Sequence, residues 1–467
     1  MACRRTNRGI EENTLAILDA SGDKDTQDNN DDRIAFLEAV RASSIVPGSG
    51  TPPTSKMYEA IFQIMKDGKS LELIMASYQL LNELEKHYPR VYLSCVSSPN
   101  SSCSTIPELV VVKEAWSPLV FGWDACSERE SSNKDSGGLL DSYGFNLLIQ
   151  KLAEVANEAD FHVFDTKFLR NMLLFQYLVN VLEGDFLPRH STYEESMNWT
   201  VLKESLLNML LGLRRISYKG LVKDCLSVLC YLHGRFCQGL IYSEDSSRSF
   251  ENCNSAVVNA LLELGNCTSI AAQRLLVMIM ELDMSKKKAN MNGHTTRADS
   301  LRTPLIEIIL DEITYNKDIL FPFFLAFHEP KWKLEIVLQY FSKYIAKPAV
   351  RTRRSNDSKE DATLEGVLKC FSNINSAKSV VKKISSEVAQ LLLAHAFQAY
   401  LMLLSKQQSV KSISDSKEVI EGCFSVEICK NMISAFNCLK NNDADLEILP
   451  LGKEAVFVAA TILSTTS

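Results

Sequence analysis

The feature that most limits what this chain can fold into is an apolar repeat of helical spacing that runs from one end to the other. Met57, Ile61, Ile64 and Met65 recur at intervals of three and four, which puts them on one side of a helix. Leu71, Ile74, Met75 and Tyr78 repeat the pattern, with Gly68 between the two sets as a helix stop and Ser70 as the next N-cap. The spacing returns in Phe168, Met172, Phe175, Val179 and Leu182, then in Leu202, Leu206, Met209, Leu210 and Leu213, then in Leu221, Cys225, Val228, Leu229 and Leu232. Near the end it is carried by Val388, Leu391, Leu392, Ala399 and Leu403, and by Ile428, Met432, Ala435, Phe436 and Leu439. Roughly fifteen such segments can be drawn, and almost none shows the sustained alternation of a half-buried strand. The run Leu109 to Val112 fits either a short strand or a helical turn.

Two segments must be enclosed on more than one side. Every residue from Leu275 to Met280 is apolar. Between Lys331 and Ile345, one stripe holds Leu334, Val337, Leu338, Phe341 and Ile345, and a second holds Trp332, Ile336, Tyr340 and Tyr344. Only a narrow polar strip of Lys331, Glu335, Gln339 and Ser342 remains. A helix apolar over most of its circumference is sandwiched between neighbours, as in the inner helices of an α-solenoid or the centre of a bundle. Helices that continue for roughly 400 residues with mostly short connections favour the solenoid. The expected fold is therefore all-α and armadillo/HEAT-like, with degenerate repeats because no strict period exists. Residues 1–30, ending in the acidic, Asn-rich stretch Asp23 to Asp32, read as largely disordered, and residues 31–467 as a single helical body. Polar, Ser-rich gaps near 94–107, 125–138 and 243–255 read as surface loops.

The chain's 467 residues are 46% hydrophobic and 23% charged, enough for a large core and inconsistent with wholesale disorder. A net charge of −7 argues against a surface built entirely for nucleic acid, while leaving room for a local basic patch. Thirteen cysteines, an odd number with no CxxC pair, lie mostly in apolar helical windows. They read as reduced core thiols of a protein of the cytosol or nucleus. No uncharged apolar run reaches the ~18–20 residues that span a bilayer, and Arg4, Arg5 and Arg8 precede no apolar leader, so no membrane is expected. The sequons at Asn100, Asn198, Asn266 and Asn356 read as chance matches.

Chemistry is sparse. The seven histidines are scattered singly, and no HExxH or other metal-ligand spacing occurs. His395, on an apolar stripe, reads as a satisfied core or boundary histidine. Gly68-Lys69-Ser70 resembles the tail of a phosphate loop, but Gln63 stands where the first glycine should and the segment joins two helices. No catalytic, cofactor-binding or metal-binding residue is assigned, and an enzyme is not expected. Lys286, Lys287 and Lys288 complement the carboxyl end of their helix. The candidate contact residues are Lys347, Arg351, Arg353 and Arg354, directly after the enclosed helix. They suit phosphate, an acidic partner face or an import receptor, against the plain alternative of a solvated loop.

Longer words of the sequence carry more. NTLAILD at Asn13–Asp19, RIAFLEAVRASSIVP at Arg33–Pro47, KMYEAI at Lys56–Ile61 and EAWSP at Glu114–Pro118 open the series. YEESMNWTVLKES at Tyr193–Ser205 and VMIMELDMSKKKA at Val277–Ala289 continue it. PKWKLEIVLQYFSKYIAKPAVRTRR at Pro330–Arg354 and EILPLGKE at Glu447–Glu454 close it. Together they resemble the plant family of negative regulators of systemic acquired resistance, the inducible suppressors of NPR, along nearly the whole chain. The resemblance implies an armadillo-like nuclear protein that represses pathogenesis-related genes and homologous recombination. It also implies a non-SMC regulatory subunit of the structural-maintenance-of-chromosomes five–six repair complex, with a sister non-SMC subunit and that complex as partners. Transcriptional regulators are further partners to expect, with DNA contact indirect. Two other classes stay open: a repressor touching promoter DNA through the basic segment, and an unrecognised enzyme.

Overall fold

A computed structural model describes residues 15, 27–45, 50–94, 107–120, 139–157, 165–213, 217–242, 255–296, 302–345, 363–410, 418–442 and 446–466. The three stretches expected as surface loops fall almost wholly outside these residues. Most of the segment 1–30 does too, and a helix already begins at Gln27. Among the described residues the chain is all-α and solenoid-like, with seventeen helices, two minimal strand pairs and no closed sheet. It divides into two compact units, Met1–Ile308 and Ile309–Ser467.

The first unit contains α1 (Gln27–Ser44), α2 (Ser55–Asp67), α3 (Leu71–His87), α4 (Ser142–Asn157), α5 (Thr166–Ser196), α6 (Trp199–Lys203), α7 (Leu206–Gly212), α8 (Tyr218–Tyr242) and α9 (Ser255–Met291). Helix starts are written locally. Thr54, Asp165, Asn198 and Ser205 each accept a backbone N–H of the helix they precede, a cap worth about 1 kcal/mol. Gly68 ends α2 as expected: its N–H reaches Ile64 O at 2.9 Å, and a Cβ there would meet that oxygen at 2.6 Å. Ser70 stands at the N-cap of α3 in extended conformation, but its side chain makes no capping bond. α5 is the central helix, in contact with α2, α3, α4 and α9. Its buried set reaches far beyond the expected stripe, to Leu173, Leu174, Tyr177, Leu178 and Val181. Fully burying one such side chain contributes about 1.5–3 kcal/mol.

Two expectations need correction. Leu202 to Leu213 is not one helix. Ser205 caps α7 afresh, and Asp185 Oδ2 takes the Leu206 N–H at 2.7 Å. The new start rotates the register, so Leu207, Leu210 and Leu211 are buried while Met209 is exposed. In α3 the inward face is Leu73, Ile74, Leu80, Leu81 and Leu84, leaving Leu71 outside. The undecided run at Leu109 is a strand: β1 (Val91–Ser94) pairs antiparallel with β2 (Glu108–Val111). A parallel contact joins β3 (Leu119–Val120) to β4 (Leu140–Asp141).

The division between units falls within α10 (Leu305–Tyr315). The second unit continues with α11 (Lys317–Ala326), α12 (Pro330–Ser342), α13 (Leu364–Phe371), α14 (Ile374–Ile384), α15 (Ser386–Val410), α16 (Glu418–Asn442) and α17 (Pro450–Thr466). α12 lies on α15, α13 and α14 lie on α16, and α17 covers α15 and α16. Gly452 permits that last approach, since a Cβ there would stand 2.7 Å from the Phe436 ring. The segment Ser386–Lys406 is apolar and long enough by composition to cross a bilayer, which the sequence reading did not register. Every residue from Ala389 to Phe397 is buried within the protein, the mark of a core helix.

Candidate functional site

The four candidate contact residues, Lys347, Arg351, Arg353 and Arg354, lie outside the described residues. The helix that precedes them is described, and it is enclosed along most of its two stripes, with Leu334 only half-buried and Tyr344 and Ile345 falling beyond its end. Pro330 opens α12, and Trp332, Ile336, Val337, Tyr340 and Phe341 are buried along it. The Lys331 ammonium lies 4.9 Å from the centre of the Trp332 ring, a cation–π contact. Beyond α12 the N–H groups of Tyr344 and Ile345 both return to Phe341 O, at 2.9 and 3.0 Å. The chain therefore enters the basic segment from a helix fixed by large apolar side chains. Lys343 stands 3.7 Å from Asp311, with both groups substantially exposed, so this pair adds little stability.

α12 also carries a polar group that the sequence reading missed. Lys333 is buried, and its Nζ donates to Phe324 O at 2.8 Å. Burial without a carboxylate partner lowers its pKa to about 8. The signal was present: Ile336, Val337 and Tyr340 stand three, four and seven positions after it, on the inward face. Opposite, on α15, His395 lies in the core as its stripe implied, but it is not the satisfied histidine expected there. It is buried and stacked on Phe324 at 5.6 Å, and neither ring nitrogen has a hydrogen-bond partner. Burial first, then the charges of Lys333 and His328, push its pKa down to about 3. A buried imidazole held neutral and stacked on Phe324 cannot act as an imidazolium acid near neutrality.

In the first unit, polar side chains form a seam joining α3, α5 and α9. Tyr78 Oη donates to Gln176 Oε1 at 3.1 Å, and Gln176 Nε2 donates to Thr268 Oγ1 at 2.9 Å. One turn along, Asn180 bonds Asn82 at 2.7 Å and accepts from Arg274 at 2.8 Å, while Arg274 also pairs with Glu183. Further on, His190 Nε2 lies 3.9 Å from carboxylate oxygens of both Glu194 and Glu281. Lys288, read as a dipole partner, bonds Glu194 at 3.2 Å. Near α6, Arg189 and Asp185 form a buried pair at 3.3 Å. Polar contacts of this kind fix which helix faces meet and in what register. Among the described residues, no group of three or more His, Cys, Asp or Glu could hold a metal ion. Cys225, Cys230, Cys267, Cys370, Cys429 and Cys438 are free thiols, and burial raises the pKa of Cys225 and Cys230 far above the usual range.

Two features of the described surface stand out. In the first unit the β1–β2 ribbon exposes Tyr92, Leu93, Val111 and Val112. In the second, a cleft of about 730 Å³ lies beside the α14–α15 turn, lined by Val381, Ser385, Glu387, Glu447, Ile448 and Pro450. Ser385 holds φ 76°, ψ 158° there, a conformation normally left to glycine. Gln390, buried, pins the opposite wall by donating to Glu447 O at 3.1 Å and accepting the Leu449 N–H at 2.9 Å. The ribbon offers apolar contact, and the cleft offers apolar contact with the carboxylates of Glu387 and Glu447.

Comparison with known proteins extends this picture. Residues 90–329 match the SNI1 middle domain and residues 345–467 the SNI1 C-terminal domain. The chain is 46% identical over 456 residues to the negative regulator of systemic acquired resistance SNI1 of Arabidopsis thaliana, covering 97% of this chain and 94% of that one. No solved structure matches it.

Proposed function

The chain belongs to the SNI1 family, and from that premise we propose that it is a negative regulator of systemic acquired resistance that works by holding other proteins. The observation that carries this reading is identity spread over 97% of the chain, which takes in both matched domains. The helical, solenoid-like build supports it, because stacked helices present extended surfaces for gripping partners. In plants lacking the Arabidopsis relative, expression of this chain should restore repression of pathogenesis-related genes. Undiminished expression of those genes, with the chain stably present, refutes the reading.

The finer reading is a regulatory subunit of the structural-maintenance-of-chromosomes five–six complex. It sits in the nucleus, docks a sister non-SMC subunit and restrains homologous recombination. Its support is the family resemblance along the whole chain. A direct contact with promoter DNA rests on a separate feature, the four cations at Lys347, Arg351, Arg353 and Arg354. If all four met phosphates, the logarithm of affinity would fall with that of salt at a slope near ~3.6. Binding indifferent to alanine at the three arginines removes this second reading.

A further inference from the structure

We propose that Thr303 is a regulatory phosphorylation site for a proline-directed protein kinase, and that its phosphate competes with the Asp283 carboxylate for Arg302 and for the amino end of α10. The inference does not depend on the function proposed above.

α10 begins in an unusual way. The carbonyl of Pro304 accepts the N–H of Glu307 at 3.0 Å and of Ile308 at 3.4 Å, so Pro304 stands where a capping residue belongs. Proline has no side-chain oxygen with which to cap. The missing acceptor comes from α9: Asp283 Oδ2 takes the Leu305 N–H at 2.8 Å, while Oδ1 takes Arg302 Nη2 at 2.7 Å. The Arg302 guanidinium in turn lies 5.1 Å from the centre of the Tyr218 ring on α8. One carboxylate, mostly shielded from solvent along with its arginine, thus ties together α8, α9 and the start of α10.

Thr303 is exposed, lies in the non-helical stretch 302–304, and is followed directly by proline. That is the form in which proline-directed kinases take a hydroxyl. In the transfer, Thr303 Oγ1 bonds to the γ-phosphorus of ATP, the bond from that phosphorus to the β,γ-bridging oxygen breaks, and ADP leaves. The hydroxyl proton passes to the base of the kinase. The product carries about −1.5 to −2 charges and three strong acceptors, one residue from Arg302 and two from the Leu305 N–H. Arginine favours such a group through paired hydrogen bonds, and a dianion repels the adjacent carboxylate. Once Arg302 turns to phosphate, Asp283 is left as a shielded charge with its main counter-ion gone, and the α9–α10 connection loosens. Thr51 supplies an internal control. It too is exposed and precedes Pro52, but the nearby helix α2 is capped by its own Thr54.

The test incubates the full chain with ATP and a proline-directed kinase, maps phosphate by mass spectrometry, and follows amide hydrogen exchange. Phosphate is expected at Thr303 of the folded chain, with exchange in peptides covering Asp283–Met291 and Leu305–Ile308 accelerated at least tenfold. Thr303→Ala, treated alike and still modified at Thr51, should keep the slow exchange. Asp283→Asn should speed exchange by itself, and phosphate at Thr303 should then add little. Absence of phosphate at Thr303 after exhaustive incubation overturns the proposal. So does phosphate there with exchange unchanged, or a full, additive effect in Asp283→Asn.

Discussion

Lys333→Met should make the second unit more stable, although it removes a hydrogen bond. The Lys333 ammonium is buried with Phe324 O as its acceptor, and its pKa falls from 10.5 to about 8. At about 1.36 kcal/mol for each pKa unit, holding the proton in the folded state costs about 3 kcal/mol at pH 7. Methionine fills a similar volume and leaves the Phe324 carbonyl short of one donor, a loss of about 1 kcal/mol. The net gain is then about 2 kcal/mol. The sign follows from proton counting. Between about pH 8 and 10.5 the unfolded lysine keeps its proton while the folded one releases it, so wild-type stability rises with pH across that window. Below pH 8 the penalty is fully present, and the variant lacks it throughout. Urea unfolding of the full chain can report this through Trp332 fluorescence, with Trp116, Trp123 and Trp199 replaced by phenylalanine. The quantity to follow is the difference between variant and wild type. It should be near 2 kcal/mol at pH 7 and shrink toward pH 10.5. A variant less stable than wild type at pH 7, or a difference independent of pH, refutes the reasoning.

Other consequences concern the same unit. His395, held neutral with its pKa near 3, lets the unfolded state take a proton first as pH falls. Stability should therefore drop from about pH 6.5 toward 3, and urea midpoints of His395→Leu should lose that component. Trp332→Ala removes a buried indole from α12 and should cost about 3–5 kcal/mol, visible as a lower melting temperature; an unchanged one would place the ring outside the core. Gly452→Ala forces a methyl against Phe436 and should cost about 1–3 kcal/mol by urea titration, whereas a neutral result would mean that α17 shifts freely on α16.

Helix identity was legible because the code for it is local. Spacing of apolar residues acts within one or two turns; the one cap singled out, Ser70, makes no capping bond, while the equally local caps at Thr54, Asp165 and Asn316 went unnoticed. The enclosed helix α12 was legible for the same reason: two stripes at fixed offsets leave room for only a narrow wet face. Tertiary caps were not. Asp185 starts α7 from 21 residues away and Asp283 starts α10 from 22 away, and no sequence window links such pairs. The burial of Lys333 was hidden by its charge, which outweighed three apolar helical neighbours in the reading. The seam at Gln176 and Asn180 was missed because amide side chains on a helix look alike whether they meet water or another helix. The basic segment was found by composition alone, and its residues fall outside those described.

The claim on which the account turns is that these stacked helices exist to hold other proteins. Isolation of the tagged full chain from plant nuclei at about 0.15 M salt, with the mass and composition of the particle measured, tests it most directly. The account predicts a stoichiometric assembly containing a non-SMC sister protein and the structural-maintenance-of-chromosomes subunits. A lone, correctly folded monomer under those conditions would contradict it.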